Sequence, residues 1–144
     1  MPVRIARLGP GDDAAVLTSV DVFDHPPTPE WTARFLAAAD HHLVAAFEGD
    51  TMVGFVSGVE TTHPDKGTEM FLYELGVHED HRRRGTARAL VTALAELARE
   101  RDCYGMWVAV DPDNDPALAT YRSAGAQPPE PSVIIGWSFN NEKG

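Results

Sequence analysis

One stretch of helical periodicity, set between two strand-like runs, constrains the fold of this chain more than any other feature. From Gly85 to Arg101 the apolar residues fall at Ala87, Leu90, Val91, Leu94, Leu97 and Ala98. These are the i, i+3, i+4, i+7 intervals of an amphipathic helix, which must lay one face on a core. Before it, Glu69 to Val77 reads as a strand. After it, Tyr104 to Val110 carries almost no polar residue, the pattern of a central strand covered on both faces. Strand, helix and strand in that order form a crossover, so the two strands are expected to run parallel and to be joined right-handedly. In such a sheet a ligand cleft opens at the carboxyl ends of the parallel strands.

The remaining segments fill out one domain, residues 1–144. Val3 to Leu8 reads as a first strand. Asp12-Asp13 opens a short helix through about Val22, with acids at the positive end of the helix dipole. Glu30 to Ala39 reads as a second helix with Trp31, Phe35 and Ala38 on one face. His42 to Phe47 and Thr51 to Glu60 are strands joined by the turn Glu48-Gly49-Asp50, and His63 to Thr68 is a loop. Asp111 to Pro116 is a turn. Pro116 suits a first helical turn with Asp115 as N-cap, in a helix that ends at Gly125. Ser132 to Phe139 reads as a last strand. The order is β-α-α-β-β-β-α-β-α-β. The proline stretches at 24–29 and 128–131 are too short for interdomain linkers and read as loops.

Composition narrows the function. Twelve basic against 22 acidic residues leave a net charge of −10, which argues against a duplex or an anionic membrane as partner. The acidic balance either welcomes a cationic small substrate or only keeps the chain soluble. Cys103 is the single cysteine, so no intrachain disulfide and no cysteine zinc site are expected. His25, His41, His42, His63, His78 and His81 do not form a ligand set at helical spacing, so no metal is expected. The N-terminal residues lack an apolar signal core, no run reaches the roughly 20 apolar residues of a membrane span, and the cytoplasm is the expected compartment.

The chemistry concentrates at the turn before the long helix. Arg82, Arg83, Arg84 and Gly85, then Thr86 and Ala87, put three cations and a glycine at a strand-to-helix junction. Free backbone N–H groups and the helix dipole favour phosphate there, although the same run suits a solvated basic helix start. Arg82-Arg83-Arg84-Gly85-Thr86-Ala87 resembles the Arg/Gln-x-x-Gly-x-Gly/Ala signature of the GCN5-related N-acetyltransferases. Asn114-Asp115-Pro116-Ala117, followed by Tyr121 and Gly125, is similar to a second segment of that family. Phe71 to Gly85 and Asp115 to Tyr121 further resemble the small aminoglycoside 3-N-acetyltransferases that modify gentamicin, a likeness covering roughly residues 35 to 126.

The resemblance implies an α/β (α+β) fold. Its mixed central sheet has six to seven strands, largely antiparallel with one parallel, splayed pair, and about four helices flank it. It implies acetyl-coenzyme A as co-substrate, a cationic amine such as an aminoglycoside as acceptor, and a homodimer. Acetylation would remove a positive charge and weaken the drug's attraction to RNA phosphates. Alternatives are a same-fold acetyltransferase for a polyamine, a small metabolite or a protein N-terminus, or a non-catalytic acyl-coenzyme A-binding module.

Acetyl transfer to an amine needs a base for the ammonium, donors for the oxyanion and a proton for the leaving thiolate. Glu74, alone among apolar neighbours at the end of strand 69–77, is the candidate base. It could equally face solvent, or only bind the substrate ammonium. Tyr121 is the acid the resemblance implies; its bland reading is a core tyrosine. Leu75, Gly76 and Val77 would hold the pantetheine arm and polarise the carbonyl, although Gly76 also suits a bulge. Asn114 would bond pantetheine or serve only the turn. Asp111, Asp113 and Asp115 would read substrate ammonium groups or simply make turn and cap, and Tyr73 is a further substrate candidate.

Overall fold

The computed structural model describes residues 2–139. Five strands form one sheet in the order β1-β2-β3-β4-β5: β1 Arg4–Leu8, β2 His41–Glu48, β3 Thr51–His63, β4 Gly67–Val77 and β5 Met106–Trp107. The first four pair antiparallel, and β5 joins β4 in parallel through the register Met70 to Met106 and Phe71 to Trp107. The helices are α1 Asp13–Leu17, α2 Pro29–Ala37, α3 Thr86–Glu100 and α4 Asp115–Ser123, with a 3-10 turn over Glu79–His81.

Both sheet faces are covered, which explains the continuous burial of Leu43 to Phe47 and Met52 to Gly58. On one face Leu90, Val91, Leu94 and Leu97 of α3 pack on Val44, Val56, Met70 and Leu72. On the other, Val16 of α1 and Leu36 of α2 pack on Leu43, Ala45, Phe47, Met52 and Phe55. The periodicity of Gly85–Arg101 is thus realised as α3, whose stripe is buried as its spacing requires. The parallel pairing across that helix is present as expected.

Four expectations give way. The first helix stops at Leu17, and 18–28 form an irregular segment. α2 buries Thr32 and Leu36, while Trp31 stays 61 % exposed. The run 104–110 is a strand only over Met106–Trp107, with Trp107 49 % exposed. It forms the sheet edge, because β4 turns away from it and no strand pairs its far side among the described residues. Ser132–Phe139 has no regular structure, and its apolar residues are 73–82 % exposed. The sheet therefore has five strands among the described residues, not six to seven.

Candidate active site

The site begins with one extra residue in β4. Opposite β3, Ser57 faces Glu74 and Gly58 faces Leu72, which leaves Tyr73 without a partner. A bulge of this kind reverses the alternation of side chains beyond it. Met70 and Leu72 lie in the α3-side core, and the strand returns to that core at Leu75 and Val77, three residues after Leu72 instead of two. Unbulged, Glu74 would share the face of Met70 and Leu72. It stands instead on the α1–α2 face, with Gly76. Tyr73 is 61 % exposed. Its ring lies 5.5 Å from Phe71, which stacks on Trp107 at 4.3 Å.

The bulge also separates β4 from β5. β3 pairs along β4 at every residue but Tyr73, whereas β5 pairs only at Met70 and Phe71. From Leu72 to Val77 the other edge of β4 has no strand partner among the described residues. An extended amide-bearing ligand can add to such an edge as a strand would. The segment 18–28 crosses the strand at Gly76. A Cβ there would meet the Val22 carbonyl oxygen at 2.5 Å and Phe55 Cε1 at 2.9 Å. Gly76 is therefore required for packing against its own chain.

Past Val77 the chain makes the basic turn. Arg82 Nε donates to the Val77 carbonyl at 3.0 Å, and His81 Nε2 lies 3.0 Å from Glu48 Oε1. That contact holds the Glu48 carboxyl below its usual value and ties the turn to the β2–β3 hairpin. Arg83 and Gly85 take the left-handed conformation, φ 62° and 80°. Open space surrounds a Cβ at Gly85. Arg82, Arg83, Arg84 and Gly85 are exposed, while Thr86 is buried at the start of α3. The N–H groups of the first helical turn have no intrahelical acceptor. An exposed cationic turn leading into a helix N-terminus fits a diphosphate.

Glu74 lines a cavity of about 160 Å³ with Phe23, Trp31, Phe35, Leu36 and Phe55. The residue is exposed at the cavity mouth. Its carboxyl nevertheless lies above the usual carboxylate range, pushed up by its apolar surroundings and then by the negative charge of Asp24. The Glu74 N–H donates to Ser57 Oγ at 3.2 Å. Tyr121 on α4 packs half-buried against the α3-side core, and burial raises its phenol. A larger cavity, about 340 Å³ between β1 and α3, contains none of the candidate residues.

Other candidates lie elsewhere or are already engaged. Asp111 and Asp113 are exposed in the turn before α4, Asp115 is exposed at the first position of that helix, and none lines the cavity beside Glu74. The N-cap of α4 is Asn114 and not Asp115: Asn114 Oδ1 accepts from Ala117 N at 3.1 Å. Asp24 and Phe23 went unread in the sequence, because a carboxylate in a proline loop far from Glu74 carries no spacing signal. No cluster of three metal-ligating side chains occurs among the described residues.

The acetyltransferase (GNAT) family model matches residues 13–126 of the chain. The chain belongs to that family. This GNAT protein is 34 % identical over 129 residues to the N-alpha-acetyltransferase RimI of Mycobacterium tuberculosis, an alignment covering 88 % of the chain and 79 % of the relative. An acetyltransferase of Yersinia pestis is 39 % identical over 80 residues, which span 56 % of the chain and about half, 52 %, of that relative. Among solved structures, an aminoglycoside acetyltransferase from an uncultured soil metagenomic sample superposes with a TM-score of 0.87 at 20 % identity, covering 96 % and 97 % of the two chains. That likeness is one of fold. The GNAT family uses acetyl-coenzyme A, and the open β4 edge and the basic turn are the features of this chain that fit it.

Proposed function

We propose that this GNAT protein transfers acetyl from acetyl-coenzyme A to a primary amine by direct attack in a ternary complex. The observation that carries the reading is the bulge at Tyr73, which frees one edge of β4 and turns Glu74 to the opposite side of the same strand. In this reading the diphosphate rests on Arg82 to Ala87 and the pantetheine amides pair with Leu75, Gly76 and Val77. Asn114 keeps its amide N–H₂ for the ligand, since its oxygen caps α4. The amine nitrogen attacks the thioester carbon, a C–N bond forms, and the C–S bond breaks. Glu74 takes the ammonium proton; a carboxyl raised above its usual range is a stronger base for that step. Tyr121, whose burial keeps the phenol protonated, returns a proton to the departing thiolate.

For the acceptor, the 3-amino group of a deoxystreptamine aminoglycoside such as gentamicin draws support from the net charge of −10 and from the fold shared with the soil aminoglycoside acetyltransferase. Tyr73 beside the cleft, and Asp111, Asp113 and Asp115 farther off, would meet the remaining ammonium groups. A second reading, the α-amino group of a polypeptide, is favoured by the likeness to RimI. The working unit in the proposal is a cytoplasmic homodimer joined through residues 132–139. Free-thiol release from acetyl-coenzyme A, measured with gentamicin, a polyamine and a peptide, tests the reading. Release with gentamicin alone supports the first acceptor, and release with the peptide supports the second. Coenzyme binding without release from any of them rejects catalysis.

A further inference from the structure

The cavity beside Glu74 is built for more than an ammonium group. Phe23 and Phe55 stack at 4.2 Å along its wall, and Phe35, Leu36 and Leu43 continue it. Two of its hydroxyl oxygens are already used by the fold: Thr28 Oγ1 accepts from Trp31 N, and Ser57 Oγ accepts from Glu74 N. Glu74 is the one ionisable residue on the wall. The negative charge of Asp24 acts on its carboxyl. Most of the remaining wall is apolar, so a ligand hydroxyl facing it would lose water without gaining a partner. An apolar group would shed water from both surfaces. The volume, about 160 Å³, matches the ~150 Å³ at which a cavity lined by Leu, Ile and Phe takes up benzene.

We infer that the acceptor carries, beside its amine, an apolar group about the size of a phenyl ring or a leucine side chain, seated between α2 and β3 while Glu74 holds the ammonium. This rests on the acetyltransferase reading, and among the acceptors named there it favours a small amine or a polypeptide over the aminoglycoside. Two kinds of molecule offer that chemistry, a small arylalkylamine and a polypeptide beginning with a large apolar residue. Trp31, at the rim and 61 % exposed, is the surface over which the group enters.

The test compares kcat/KM for thiol release at saturating acetyl-coenzyme A. The acceptors are phenethylamine, ethylamine, a peptide beginning with Phe, the same peptide beginning with Gly, and gentamicin. The inference expects a gain of at least about tenfold for the phenyl-bearing member of one pair. The pair that shows it identifies the source, and Trp31→Ala shrinks the gain. Equal rates within both pairs, or turnover of gentamicin alone, overturn the apolar seat while leaving acetyl transfer intact. No release with any acceptor, although the coenzyme binds, overturns acetyl transfer and the seat with it.

Discussion

Glu74 draws its chemistry from two things that its local sequence does not show together. Its apolar flanks were legible, and they marked it as a carboxylate with work to do. The face it occupies and the Asp24 charge beside it were not legible, since both depend on contacts between distant segments. Glu74→Gln should lower kcat by roughly 10²–10⁴, the usual contribution of a general base, with acetyl-coenzyme A affinity unchanged; steady-state rates and calorimetry check the pair. The pH dependence has a definite sign. The Glu74 carboxyl lies above its ordinary value of 4.5, so the acid limb of kcat/KM stands above that pH. Asp24→Asn removes a like charge and should move the limb downward. The folded chain holds this proton more tightly than the unfolded chain does. The associated stability is therefore present at low pH and lost as pH rises through the folded pKa. Glu74→Gln should accordingly raise Tm relative to the parent at pH 8 and not at pH 4.

Among the elements, those with a strong local period were the ones the sequence announced. α3 shows it best: of the six apolar residues at helical spacing, Leu90, Val91, Leu94, Leu97 and Ala98 appear in the structure as one buried stripe. β5 misled because apolar composition reports what a strand would bury, while pairing depends on where its neighbour goes. The bulge at Tyr73 takes β4 away from it after two residues. Asn114, one residue before the expected cap, shows how adjacent Asn and Asp residues compete for one role. Two substitutions probe the elements. Gly85→Val puts a β-branched residue at φ 80° and fills the space beside the basic turn. It should abolish coenzyme binding by calorimetry while the far-ultraviolet spectrum is preserved. Gly58→Ala places a Cβ 2.8 Å from Met70 Sδ and 2.9 Å from Leu94 Cδ1. That overpacking should cost about 1–3 kcal/mol in denaturant unfolding.

At the scale of the whole molecule, the tail is the segment whose sequence and structure diverge most. Val133, Ile135, Trp137 and Phe139 alternate with Ser132, Ile134, Gly136 and Ser138, a strand pattern, yet residues 132–139 lie exposed. The three prolines in 128–131 stiffen its approach. Joining two chains through this segment predicts a dimer by light scattering and a monomer after truncation at Pro131. A full-length monomer would dismiss that assembly. The bare margin of β4 has a consequence of its own. A row of free amides beside exposed aromatic rings is adhesive toward any extended polypeptide. In the proposed complex the thioester covers it, so preparations stripped of that ligand should cloud first.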